Sequence, residues 1–252
     1  MKKKLVSVIL TYYKKKNFIK KTLKSLLNQS YKNYELICVY DNKNLDELKF
    51  IRNQLSKIKK VKLIINKKNL GVAKSRNLAI KSSKGEYIAF LDADDLWKKN
   101  KLRDQLKIME KNRLDITCTS YFIIDEKNKN LGIRTVDDQI SYNQISKKCD
   151  IGLSTVIIKS KIMKKFRFPD LKTQEDLGLW LHILRAGYSF FPIKESYSSW
   201  RKTKKSLSSN PYQKLKDAFK LFYFYENKNL IIAIYSVVIL SLNKLIKFKS
   251  GN

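Results

Sequence analysis

The sequence predicts an open α/β fold, a mostly parallel sheet with helices on both faces and a helical segment at the C-terminal end. Two observations carry this. Strand-length apolar runs alternate with helix-period segments through the first half of the chain, and polar or acidic residues close those runs, as in "VYD" at 39–41 and "FLDADD" at 90–95. Parallel strands need long crossovers, which helices supply, and ligands of such sheets bind beyond the carboxyl ends of the strands.

Each element has its own signal. Leu5 to Leu10 is an apolar strand; "MKKK" before it resembles the start of a signal peptide, but the run is only strand-length, contains Ser7 and lacks a small-residue cleavage site. Phe18, Ile19, Thr22, Leu23, Leu26 and Leu27 then recur at helical spacing, with Asn17 as the expected N-cap. "YELICVYD" reads as the second strand, Leu45, Leu48, Ile51, Leu55 and Ile58 as the second helix, and "VKLIIN" as the third strand. "GVAKSRNLAIKSSKG" predicts a helix stopped by Gly85, and "EYIAFLD" the fourth strand. Further on, "DITCTSYFIIDEKNKNLGIRTV" predicts a hairpin about a polar turn, and "CDIGLSTVIIKS" another strand. "QEDLGLWLHILRAG" reads as a helix with acids at its positive end, "YSFFPIKESYSSWRK" as extended chain, and Pro211 to Lys249 as two helices.

Composition narrows the function. The chain has 252 residues, 43% of them hydrophobic, enough for one domain or for a domain at 1–205 with a helical appendage at 206–252. Cys38, Cys118 and Cys149 have neither metal-ligand nor disulfide spacing, so a reducing, cytoplasmic compartment is expected. A formal charge of +32 invites nucleic acid or an anionic membrane as partner. The lysines are spread along the whole chain, however, and a general residue bias produces the same charge. Lysine far outnumbers arginine, the residue that reads bases bidentately, which argues against nucleic acid.

Why would so basic a chain gather Asp92, Asp94 and Asp95 at the end of an apolar run? Carboxylates that close repel one another unless a cation sits between them. An Asp-x-Asp pair closing a strand puts two carboxylates on one side of the pleat, which suits Mg or Mn holding phosphate oxygens. Taken alone, such a pair is more often just a solvated acidic loop. No G-x-G-x-x-G or P-loop follows the first strand, which removes the usual dinucleotide and P-loop nucleotide sites. The single histidine, His182, lies between Leu181 and Ile183 and reads as structural.

Three stretches, "VSVILTYYKKKNFIKKTLKSLLNQSYKNYELICVYDN", "NLGVAKSRNLAIKSSKGEYIAFLDADDLW" and "TQEDLGLWLHILRAGY", together resemble the family 2 glycosyltransferases of the GT-A fold, in the family's order and over about residues 5–205. The resemblance implies inverting transfer of a sugar from a nucleotide diphosphate, usually a UDP sugar, to a hydroxyl of a saccharide or lipid-linked acceptor in surface polysaccharide synthesis, with Mn or Mg. It implies that Thr11, Tyr13, Asp41 and Arg76 bind the nucleotide, that Asp94 ligates the metal, with Asp92 nearer the ribose or shared with the metal, and that Asp176 is the catalytic base. Asp95, Trp200, Arg201 and Lys202 are candidates for donor or diphosphate contact. One departure stands out: Tyr40 occupies the position of a usual acid, which puts nucleotide preference in question.

Competing readings are a nucleotidyltransferase, which would need a glycine-rich phosphate loop where "LTYYKKKN" stands, and a non-enzymatic polyanion binder. Leu230 to Leu242 is uncharged but shorter than the roughly 20 residues of a spanning helix. It is expected to pack on the domain, to form a homodimer, or to meet anionic lipid with the lysines of "LNKLIKFK".

Overall fold

The computed structural model describes residues 4–203 and 210–249, without the side chains of 244–249. The boundary expected between 205 and 206 and the lysine side chains of "LNKLIKFK" from 244 onward lie outside the described residues.

β1 (Val6–Tyr12), β2 (Tyr34–Tyr40), β3 (Val61–Ile65) and β4 (Tyr87–Phe90) pair in parallel in the order β3-β2-β1-β4. The crossovers are α1 (Lys16–Leu27), α2 (Leu45–Leu55) and α3 (Val72–Lys81). Alternation along β1 sends Val6, Val8, Leu10 and Tyr12 into one core layer and Ile9 into the other, so both sheet faces are covered. This is the strand–helix alternation expected from periodicity.

The second half turns the sheet mixed. β5 (Leu96–Trp97) and α4 (Lys101–Lys111) lead into β6 (Ile116–Ile124), which forms a bulged antiparallel hairpin with β7 (Asn130–Arg134). After α5 (Tyr142–Lys147) come β8 (Ile157–Lys159), α6 (Ser160–Met163), α7 (Glu175–Arg185) and β9 (Phe191–Arg201). β8 joins β4 to β6 by antiparallel pairing on both sides, β9 lies parallel to β6, and β5 adds to β9, giving a nine-stranded sheet among the described residues. Antiparallel closure lets the long β6 and β9 reach past the rim where β1, β2 and β4 end. That extra length carries Arg201 back to the acidic turn.

The first helix begins one residue before its expected cap. Lys15 is the N-cap and Asn17 lies inside the first turn, because the chain is drawn toward the acidic turn by Lys15. The helix expected to stop at Gly85 ends at Lys81. Gly85 serves another purpose: a Cβ there would lie 2.5 Å from the backbone nitrogen of Ser7, so only glycine allows β4 to enter beside β1.

The C-terminal segment is α8 (Pro211–Lys220), a π-helical turn (Leu221–Tyr225) and α9 (Leu230–Lys249). Leu221 and Phe222 are fully buried in the same core layer as Trp180. Asp217 accepts from the backbone N–H (2.8 Å) and hydroxyl (3.0 Å) of Thr173, just before α7. This segment therefore braces the loop that presents the acids of α7.

Candidate active site

The site is the carboxyl rim of β1, β2 and β4, closed by the start of α7. β4 ends in a tight turn in which the Asp95 N–H donates to the Asp92 carbonyl at 3.0 Å. Ser154 staples that turn: its hydroxyl donates to Asp95 at 2.6 Å and accepts from the Asp92 N–H at 3.1 Å. The second oxygen of Asp95 accepts the Arg201 N–H at 2.9 Å. Asp95 is buried, and that burial, together with the neighbouring Asp92 and Asp94, holds its carboxyl well above the usual range. It shapes the turn from inside.

Arg201 points inward as well. It is 2% exposed, and its guanidinium donates to the carbonyls of Asp94 (2.7 Å) and Asp125 (2.7 Å) and to Asn128 (2.9 Å), over the Phe18 ring. Burial lowers its pKa against the pull of Asp95 and Asp94. Its side chain thus ties the acidic turn to the β6–β7 hairpin. On either side of it, Trp200 is partly exposed, and Lys202 donates its N–H to the Ile124 carbonyl at 2.8 Å.

Asp92 and Asp94 keep access to the rim. Asp92 receives a hydrogen bond from Arg76 at 2.7 Å, and the same guanidinium donates to Glu175 at 2.6 Å. Arg76 is 6% exposed and lies over the Phe168 ring. Burial by itself would lower its pKa, but the two carboxylates more than offset that and raise it. Glu175 is pushed up to about 7, first by burial and then by Asp176, against the opposing pull of Arg76. Asp94 is ion-paired with Lys15, yet burial and Asp92 still raise its carboxyl above the ordinary value.

Asp41 sits at the other end of the rim, 3% exposed. One of its oxygens accepts from Asn66 and from the Leu70 N–H, both at 2.8 Å; the other accepts the Gly71 N–H at 2.9 Å. Gly71 has φ +85, a conformation that favours glycine and lets the chain curl over the carboxylate before α3. A carboxylate offers about four lone-pair positions, so one remains for a further donor. Thr11 lies near the end of β1 opposite Val39, and Tyr13, just beyond the strand, is 39% exposed. Tyr40 is 1% exposed, stacks on Tyr12 with ring centroids 5.6 Å apart, and donates its hydroxyl to the Asn44 carbonyl. It is a core residue.

Gln174, at φ +66, turns the chain into α7 and sets Glu175 against Arg76. Asp176 follows at the helix N-terminus, where one oxygen accepts the Leu177 N–H at 2.8 Å. Helix-end N–H groups and the macrodipole favour an anionic carboxylate there. His182, one turn and a half along, stands 3.3 Å from Glu226 and takes no place at the rim. Lys15, Ser154, Asn66 and Glu175 were not singled out from sequence. Only Glu175 had a usable signal there, as an acid directly preceding the expected base.

A hard divalent cation fits the donor set at Asp92 and Asp94, since such ions take carboxylate oxygens. No cluster of three or more metal-ligating side chains occurs among the described residues. These two carboxylates would therefore hold the ion together with oxygens of a bound diphosphate and water, and the ion would supply positive charge to the leaving phosphate.

The mixed sheet, flanked by helices and followed by a C-terminal helical cluster, has the architecture of the GT-A type. The chain belongs to glycosyltransferase family 2: that family's model, "Glycosyl transferase family 2", matches residues 7–168. It is similar to a glycosyltransferase of Haemophilus influenzae, 30% identical over 246 residues and covering 97% of this chain and 98% of the other. It is also similar to UDP-Glc:alpha-D-GlcNAc-diphosphoundecaprenol beta-1,3-glucosyltransferase WfgD of Escherichia coli, 36% identical over 213 residues, 84% of this chain and 83% of that one. In fold it resembles S. aureus TarS 1-349 in complex with UDP-GlcNAc, with a TM-score of 0.72 at 20% identity, covering 93% of this chain and 70% of that one. The protein is a glycosyltransferase using a nucleotide-sugar donor.

Proposed function

We propose that the donor is a UDP sugar held with Mn or Mg, and that the sugar passes with inversion to a hydroxyl of a saccharide or lipid-linked acceptor in surface polysaccharide synthesis. The observation that supports this is the Arg76 bridge, which joins Asp92 of the Asp-x-Asp turn to Glu175, the residue before Asp176. The uracil imide is a suitable partner for the remaining lone pair of Asp41, with Thr11 and Tyr13 at the same end of the rim. Arg76 and Lys15 are the cations near the diphosphate. The name of WfgD, with a UDP-Glc donor and a diphosphoundecaprenol acceptor, supports the choice of nucleotide and of acceptor class.

Asp176 takes the proton from the acceptor hydroxyl. The hydroxyl oxygen bonds to the anomeric carbon as the bond from that carbon to the phosphate oxygen breaks, and the electron pair leaves with the diphosphate. A single displacement of this kind inverts the anomeric centre. Glu175 is a positioning residue, acting through Arg76. Cys38 and Cys118 are buried and outside any disulfide, which supports a reducing, cytoplasmic site of action.

Calorimetry of UDP-glucose, UDP-N-acetylglucosamine and GDP-mannose, each with and without Mn, tests the reading. UDP sugars should bind more tightly with Mn present, and Asp94→Ala should remove that dependence. Equal binding of GDP-mannose would reject the nucleotide assignment, and metal-independent binding would reject the metal.

A further inference from the structure

α9 is apolar on two sides, and the protein covers only one. Ala233, Ser236 and Leu240 are buried against the body of the molecule, where α9 packs on α5 and α8. The docking is specific: Asn229 caps the helix through the Ile232 N–H at 2.9 Å, Lys228 donates to Ser236 at 3.2 Å, and Asn243 donates to the Lys147 carbonyl at 3.1 Å. On the other side Ile231 (80% exposed), Tyr235 (60%), Val238 (47%) and Leu242 (49%) form one stripe at helical spacing, with Ile234 (50%) at its edge. Phe224, in the π-helical turn that packs against α9, is 61% exposed. So large a bare apolar surface marks an interaction site.

The charge around it identifies the occupant. Residues 210–249 contain only two acids, Asp217 and Glu226. Both are buried and internally engaged, Asp217 with Thr173, and Glu226 with Arg185 and Tyr142. Lys214, Lys216 and Lys220 share this segment, Lys228 being turned inward to Ser236, and the sequence places three more lysines in the last turns of α9. The outward character of the segment is thus apolar and cationic, with no exposed carboxylate among the described residues of 210–249. Two copies meeting through this face would bring like charges together on chains of +32 each. A surface of anionic headgroups reverses that sign and accepts the aliphatic stripe below it. No helix among the described residues is long and apolar enough to cross a membrane, so the contact is in the plane of the surface.

We infer that the outer face of α9 docks the protein on an anionic lipid surface, with the Ile231–Leu242 stripe entering the headgroup boundary and the lysines of the segment meeting the phosphates. This does not depend on the identity of donor or acceptor.

Co-sedimentation with vesicles tests it, using the full chain without nucleotide. Phosphatidylcholine vesicles with and without phosphatidylglycerol are compared, for the wild type and for Ile231→Asn with Val238→Asn. Both substitutions lie on the exposed stripe, and circular dichroism and thermal midpoint report whether the variant is folded. Wild type should pellet with phosphatidylglycerol vesicles, and the folded double variant should bind them roughly tenfold more weakly or worse, since two aliphatic side chains no longer enter the lipid. Equal pelleting of both proteins would assign binding to the diffuse lysine charge and overturn the inference. Absence of wild-type pelleting would overturn it too, and light scattering showing a wild-type dimer that the variant lacks would give the face to a second copy.

Discussion

Lys15 occupies the place where a cation is needed. The Lys15 ammonium pairs with Asp94, so a divalent ion held at that carboxylate would have a resident competitor. Lys15→Met should therefore raise Mn affinity in the absence of nucleotide by roughly tenfold, about 1.4 kcal/mol, read by the loss of the free Mn electron paramagnetic resonance signal. An unchanged titration would separate Lys15 from the metal site. Asp176 gives a different signature. Asp176→Asn should leave calorimetric donor binding nearly unchanged while lowering turnover about a hundredfold or more, the usual scale of general-base catalysis; comparable turnover would remove it from that role. Glu175 links the site to pH. Its folded pKa, about 7, lies above its ordinary value of 4.5, so the folded state binds more protons between them and stability falls as pH rises through that window. The thermal midpoint of the wild type, measured relative to Glu175→Gln, should decline from about pH 4.5 to about pH 7 and level off above it. A flat difference would show that Glu175 titrates normally.

Among the elements, those of the first half were legible because each is a short-range pattern. β1 to β4 and α1 to α3 follow from apolar runs and helical spacing, both set by neighbours a few residues away. α4 also carries a local signal, since Leu102, Leu106 and Met109 are buried at helical spacing. β5 is two residues long and exists only through its pairing with β9, so no local pattern marks it. The brace between α8 and α7 is equally non-local. Asp217→Ala would leave the Thr173 N–H and hydroxyl buried without their acceptor, at a cost on the order of 2 kcal/mol. The expected result is a lower thermal midpoint and a fall in turnover larger than any fall in donor affinity, because the loop before Asp176 loses its support. A midpoint equal to that of the wild type would show that the brace is dispensable.

For the whole molecule, charge is the dominant long-range property. At +32, self-repulsion opposes the folded state, and salt screens it. The thermal midpoint should rise between low salt and about 1 M sodium chloride, where the Debye length shrinks to ~3 Å; no change would mean that the lysines are already too well dispersed to strain the fold. The sequence by itself determined the α/β alternation, the acidic rim and the family, since these rest on local periodicity and on side-chain chemistry carried in short motifs. It named Asp41, Arg76, Asp92, Asp94 and Asp176 but could not say what each one touches. Tertiary structure alone decided that Asp95 and Arg201 turn inward, that Tyr40 joins Tyr12 in the core, that Lys15 faces Asp94, and that one side of α9 stays bare. Those outcomes depend on pairings between residues far apart in the chain, where burial and the need to satisfy every polar group choose the partner, and no local pattern records that choice.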